Sequence, residues 1–222
     1  MKKAAAVLIA IVGIFSFFFS CKHEIPAAPI PDPVDTSVCF ENDILPLFQS
    51  YCAQSGCHDG STKQSGYQLD TYQNIIAAGI SAGNASGSNI YNAIASKRMP
   101  LTDNSPLLIE QIKLIERWIN EGAKNTVGCA GPCDTTAFQF AADVQPILRT
   151  HCIGCHGGSG NAGGFIFFDA YNGVKQQVDF GAFYPDITHA GGANPMPKNG
   201  SKLSDCKIAV IRKWIEAGAL NN

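Results

Sequence analysis

The sequence predicts a mainly α protein, built as two tandem domains of short helices joined by long loops. Three observations carry this expectation. Four anchors recur in the same order through the chain: Cys52 with Cys152, Asp70 with Asp169, Met99 with Met196 and Trp118 with Trp214, at offsets of 100, 99, 97 and 96. Apolar residues of 105–122 and 204–218 fall at helical spacing. No convincing run of alternating apolar and polar residues marks a strand, although Phe165-Ile166-Phe167-Phe168 could form a short extended piece.

Bulk properties bound the answer. The 222 residues suffice for one medium domain or two small ones, and 45% hydrophobic content supports a folded chain. A formal net charge of −2 gives no basic field, which argues against a nucleic-acid partner. Nine cysteines require disulfides, metal sites or covalent cofactors to account for them.

The chain opens with Lys2 and Lys3, then an almost wholly apolar run from Ala4 to Phe19, then Ser20-Cys21. This resembles a bacterial lipoprotein signal, loosely matched at Phe18, Phe19 and Ser20. The resemblance implies cleavage of residues 1–20 and lipidation of Cys21. An uncleaved membrane anchor is the alternative, but the run is short against the roughly 20 apolar residues of a spanning helix. Either reading places the remainder outside the cytoplasm. Loss of the two lysines takes the net charge from −2 to −4. Residues 21–38 carry Pro26, Pro29, Pro31 and Pro33 and little apolar bulk, so they read as an extended stalk without a core.

Two domains are then expected, 39–128 and 129–222, with the boundary near Gly128 to Asp134. A short helix over 42–50 leads into Cys52, and its repeat over 143–151 leads into Cys152. Glycine- and asparagine-rich loops follow, such as Gly79 to Ser88 and Gly157 to Gly164. The last helix of the first domain is expected to start at Ser105-Pro106, with proline at a position that needs no N–H. Leu108, Ile112, Ile115 and Ile119 line one face, and Gly122 supplies a left-handed stop. Its counterpart starts near Ser204-Asp205, carries Ile208, Ile211 and Ile215, and ends at Gly218.

Cys152-Ile153-Gly154-Cys155-His156 is the sharpest chemical signal. Two thiols two residues apart can form thioethers to the vinyl groups of one haem, and the adjacent histidine then reaches the iron. A redox dithiol would not need the histidine, and a zinc site would need further ligands at matching spacing. The first copy, Cys52-Ala53-Gln54-Ser55-Gly56-Cys57-His58, has four intervening residues, small and polar enough to bulge outward. Its alternative reading is a lost site closed by a Cys52–Cys57 disulfide. Met99 and Met196 stand 41 and 40 residues after His58 and His156, each before a proline. They are the only methionines besides the initiator, and a thioether opposite histidine fills the coordination sphere. His189 competes for the second iron but has no repeat partner, so it is expected to face solvent. His151 aligns with Tyr51 and His23 lies in the stalk, so neither is expected to ligate.

Across both repeats, roughly Cys39 to Asn222, the chain is similar to class I c-type cytochromes, and to the small cytochrome modules of large bacterial surface and periplasmic proteins. The resemblance implies two cytochrome c-like domains around covalent haem. It implies Cys52, Cys57, Cys152 and Cys155 as attachment sites for two haems c, His58 and His156 as proximal ligands, and Met99 and Met196 as distal ligands. The first motif's spacing departs from the family pattern. A haem would also give each small, glycine-rich domain a large apolar centre for Trp118 and Trp214 to pack around.

Cys39, Cys129, Cys133 and Cys206 remain, enough for two disulfides in an export compartment. Cys39–Cys129 with Cys133–Cys206 staples each repeat separately and is preferred. Cys129–Cys133 with Cys39–Cys206 would lock the domains together, and spacing does not choose between them.

The expected function is single-electron transfer between redox protein partners outside the cytoplasm, without catalysis. Filled iron sites leave no place for substrate, and no acid–base or nucleophile constellation stands near the motifs. A di-haem peroxidase is the enzymatic alternative, and it needs one open iron. A sensor or an electron-entry module of a larger complex is the third class.

Overall fold

Eight α-helices and no strand make up the regular structure of the described residues, which in this computed structural model are 37–101, 104–129, 133–158 and 163–222. The expected leader, Cys21 and the expected stalk as far as Thr36 lie outside them. No helix among the described residues is long and apolar enough to cross a membrane.

Each half opens on a π-helical turn that runs directly into an α-helix. Phe40–Ile44 leads into α1 (Leu45–Tyr51), and Phe140–Val144 into α5 (Gln145–His151). Proline explains the wide turn. Pro46 and Pro146 have no N–H to close an α-type bond onto the carbonyl four residues back. The last bonds before them are instead the five-residue closures Leu45 N–H to Phe40 O and Gln145 N–H to Phe140 O. The Asn42 carbonyl thereby loses its α-type donor at position 46. Asp43 and Asp143 cap these turns, accepting the N–H groups of Cys39 and Gln139 at 2.9 and 2.7 Å.

The first half continues through α2 (Tyr72–Ala77), α3 (Asn89–Ala95) and α4 (Ile109–Asn120). The second continues through α6 (Tyr171–Asp179), α7 (Phe183–Thr188) and α8 (Asp205–Glu216). Ser204 caps α8 as its sequence suggests, accepting Lys207 N–H at 3.4 Å. The start expected at Ser105-Pro106 is corrected: α4 begins at Ile109, and Gln111 Oε1 accepts the Leu108 N–H at 2.8 Å. Ser105 is drawn away because it is buried against Gly157 of the other half, and Leu107 is buried in the core. Val38 is a second correction. Assigned to the stalk, it is buried in the first core, and its N–H is held by Glu121 Oε2 at 3.1 Å. The suggested extended piece forms no strand, and Phe165 has a left-handed φ of 62°.

Both halves repeat one core. Phe40 meets Trp118 with centroids 5.4 Å apart and 35° between the planes, and Phe140 meets Trp214 with the same values. Tyr72 and Tyr171 approach Phe40 and Phe140 edge-on at 5.1 Å. Helices α4 and α8 end on two successive left-handed residues, Gly122-Ala123 and Gly218-Ala219. The turn carries the alanine N–H groups back to the Trp118 and Trp214 carbonyls, 2.9 Å away in each half. The indoles then donate to the Lys124 and Leu220 carbonyls at 3.0 and 2.8 Å. Disulfides join Cys39 to Cys129 and Cys133 to Cys206, the preferred pairing; they close two separate loops, the first ending one residue past the expected boundary at 128. The buried apolar residues fall into two clusters, one from each repeat, within one compact unit from Ser37 to Asn222. Helices α1 and α5 pack on each other where the halves meet.

Candidate functional site

The second cysteine motif is a continuation of α5. Cys152 N–H closes on Leu148 O and His156 N–H on Cys152 O, both at 2.8 Å. This turn brings Cys152, Cys155 and His156 to the wall of a cavity of about 480 Å3. Phe168, Phe183 and Ile187 give that cavity an apolar lining, and Met196 borders it as well. Neither thiol is in a disulfide.

The histidine's tautomer follows from its partner. His156 Nδ1 lies 3.3 Å from the Ile166 carbonyl, which can only accept. The proton therefore sits on Nδ1, and the Nε2 lone pair is left for a metal. Burial pushes the imidazole pKa down, favouring the neutral ligating form. Burial pushes the thiols the other way, Cys152 up to about 12 and Cys155 up to about 11. A redox dithiol needs the opposite shift, because the thiolate is the nucleophile. Among the described residues, no three His, Cys, Asp or Glu side chains gather to hold a bare metal ion. The donor types are those a haem takes: two uncharged thiols for thioethers and a neutral imidazole, on a cavity walled in part by apolar side chains.

Met196 enters the cavity wall from a tied loop after α7. Its N–H donates to Asp186 O at 3.1 Å, and its carbonyl accepts from His189 Nε2 at 3.0 Å. The solvent-facing role expected for His189 is thus corrected, since its ring nitrogen is used to hold the backbone of Met196. Met99 has the matching backbone bond, N–H to Ala93 O at 3.1 Å, and both Met–Pro peptides are cis. Met99 lies at the surface, 37% exposed, whereas Met196 is half-buried.

The first motif keeps the backbone relation of the second despite its longer spacer. His58 N–H returns to Cys52 O at 3.2 Å, as His156 N–H returns to Cys152 O. The two histidine carbonyls also take matching partners, Leu69 N–H at 2.9 Å and Phe168 N–H at 2.6 Å. Cys52 and Cys57 are not bonded to each other. Burial pushes the Cys52 thiol up to about 12 and raises Cys57 as well. His58 Nδ1 is buried without a hydrogen-bond partner. Two unbonded thiols and a half-buried imidazole whose Nδ1 has no partner are the same donor types, while the surface position of Met99 leaves its part of the set less formed.

The spacer does not simply bulge outward, which corrects another expectation. Ser55 and Gly56 are exposed, but Gln54 is only 5% exposed. Its Nε2 donates to Ser50 O and to Gly154 O, at 2.8 Å each. Ser50 O also accepts from Cys155 Sγ at 3.4 Å, and Gln49, Ser50, Ala53 and Gln54 border the second cavity. The two motifs therefore abut.

Two further bridges cross the junction of the halves. Tyr51 Oη donates to Arg149 O at 2.8 Å, and Gln111 Nε2 reaches both that carbonyl and Tyr51 Oη, at 3.1 and 3.3 Å. Lys207 Nζ lies 3.0 Å from His151 Nε2 and 3.4 Å from Asn42 O, the carbonyl whose α-type donor Pro46 removes. Sequence reasoning did not single out Gln54, Gln111 or Lys207. A signal existed for the last two. Positions 51 and 111 hold Tyr and Gln in one repeat, and the matching 151 and 207 hold His and Lys in the other. Both members of the pair change together.

Searches against protein-family models, curated proteins and solved structures return no match.

Proposed function

We propose that the chain is an exported, lipid-anchored di-haem c-type cytochrome that carries single electrons between redox partners outside the cytoplasmic membrane. On this reading residues 39–128 and 129–222 are two cytochrome c-like domains, and Cys21 bears the lipid. The observation that carries the proposal is the shared wall of Cys152, Cys155, His156 and Met196 on one cavity, with His156 Nδ1 committed to the Ile166 carbonyl.

A haem bound there supplies one-electron exchange at iron without making or breaking a substrate bond. Cys152 and Cys155 would hold it covalently, His156 would ligate from one face, and Met196 would be the distal ligand. Ile166 O fixes the His156 ring, His189 and Asp186 hold the Met196 backbone, and Phe168, Phe183 and Ile187 exclude water. In the first half Cys52, Cys57 and His58 would do the same, with Met99 as the distal ligand. A peroxidase needs an open iron position, and Met196 on the cavity wall it shares with His156 favours a filled one in the second half.

The test is expression with a c-type maturation system, followed by the pyridine haemochrome spectrum and reduction by a one-electron donor. The expected product carries c-type haem, is low-spin in both oxidation states and turns over no peroxide. Absence of covalent haem overturns the proposal, and a high-spin ferric spectrum with peroxide turnover replaces it with the enzyme.

A further inference from the structure

The two halves are nearly interchangeable in their cores, so the places where they differ in charge are informative. One lies beside the motifs. By the repeat alignment Tyr51 corresponds to His151 at an offset of 100, and Gln111 to Lys207 at 96, the offset that relates Trp118 to Trp214. In the first half the pair is Tyr51 with Gln111, both neutral, in contact at 3.3 Å. In the second half it is His151 with Lys207, in contact at 3.0 Å. The same geometric position is uncharged in one repeat and cationic in the other.

The cation is held there by several features. Lys207 is half-buried on α8 and its ammonium donates to Asn42 O at 3.4 Å; burial pushes its pKa down, and the nearby Asp43 carboxylate opposes that shift. His151 Nε2 faces a donor and so acts as an acceptor, leaving the shared proton on the lysine. Burial and the neighbouring ammonium hold the imidazole neutral, its pKa pushed down to about 3. His151 borders the cavity of Cys152, Cys155 and His156, so the charge sits one side chain from that site.

Acidic groups must be set against it. Asp43 is in the field of Lys207 and partly offsets its charge; Asp43 and Asp143 cap the two halves in the same way. That acid is present in both halves and the lysine in one. Asp186 borders the second cavity, with Oδ1 accepting the Asn194 N–H. Lys97 and Arg98 are exposed, and solvent and salt screen them. Lys198 is exposed too but borders the second cavity and acts on Cys155, so it adds to the positive charge there, while the exposed Arg149 acts on Tyr51 of the neutral pair.

Adding an electron to ferric iron adds one negative charge, which a nearby, partly buried cation stabilises. We infer that the Lys207–His151 pair makes the second site the higher-potential one, so that a single electron on the chain rests at the second haem. The pair thereby gives a direction to two sites that share the same candidate ligands. In the one-electron state the electron redistributes between the sites; no bond changes and no proton moves. This inference rests on the di-haem reading above.

The test is a spectroelectrochemical titration of the full, matured chain, with covalent haems counted by intact mass in every sample. Lys207→Gln installs the residue found at the matching position. It is expected to keep two haems and to lower only the higher potential, changing the inter-haem equilibrium about tenfold, or ~59 mV for one electron. Lys207→Arg keeps the charge and is expected to keep the gap. Gln111→Lys is expected to raise the lower potential, and it decides the matter if Lys207→Gln fails to mature. Two haems with an unchanged gap in Lys207→Gln, or an equal change in Lys207→Arg, overturn the inference alone. Fewer than two haems in the wild-type chain overturns the di-haem reading and the inference with it.

Discussion

Gln54 Nε2 lies 2.8 Å from the carbonyl oxygen of Gly154, so the spacer of one cysteine motif is hydrogen-bonded into the interior of the other. The extra length of the first motif thereby acquires a structural role, docking the halves where their candidate cofactor sites abut. Gln54→Ala would leave the buried carbonyls of Ser50 and Gly154 without this donor, at a cost of about 1–3 kcal/mol. Gly154→Ala places a methyl group on the Ser50 carbonyl and should cost at least about 2 kcal/mol. Denaturant unfolding checks both. A Gly154→Ala chain as stable as the wild type would mean the halves do not meet as described.

His189 should act on the second site alone. His189→Ala removes the donor to the Met196 carbonyl, and His189→Gln offers a replacement N–H at similar reach. With matured protein, the charge-transfer absorption of a methionine-ligated ferric haem is expected to weaken by up to half in His189→Ala and to recover in His189→Gln. Equal spectra for the alanine variant and the wild type would remove this role.

Acid stability offers a third check. The folded His151 pKa, about 3, lies below its ordinary value of 6.5. Above pH 6.5 neither the folded nor the unfolded chain protonates it, and its contribution is complete. Between 6.5 and 3 the unfolded chain binds a proton that the folded chain does not, so stability falls as pH falls, by about 1.4 kcal/mol per pH unit. Wild type should therefore lose about 2–3 kcal/mol more than His151→Gln between pH 6.5 and 4.5. Equal losses would show that His151 is not held neutral by burial.

Each disulfide closes a long loop, with partners 90 and 73 residues apart. Replacing either pair by serine should lower stability by about 2–5 kcal/mol. Because the two bridges close separate, non-overlapping loops, the two losses should be close to additive. Peptide mapping of the non-reduced protein checks the pairing, and a Cys129–Cys133 fragment would contradict it.

Much of the fold was legible because the repeat makes the chain its own comparison. The motif turns, the Trp118 and Trp214 cores and the Gly122 and Gly218 stops each fall on matched anchors, whereas the disulfide cysteines do not (Cys39 aligns with Gln139 and Cys206 with Glu110), so spacing left their pairing open. Helices α2, α3, α6 and α7 were not read, since at six to nine residues they are too short to display a period and depend on tertiary packing. The start of α4 was misplaced because Ser105 and Pro106 satisfy every local rule for a helix start, while burial of Ser105 against Gly157 overrides them. Gln54 and Lys207 act across the junction of the halves, and no local pattern announces a partner 100 or more residues away.

The most direct measurement is intact mass after maturation, on the wild-type chain and on two double variants, Cys52→Ser with Cys57→Ser and Cys152→Ser with Cys155→Ser. The account predicts two covalent haems in the first and one in each of the others. A wild-type chain with no haem contradicts the central claim, and one that loses nothing on removal of Cys52 and Cys57 contradicts the first site.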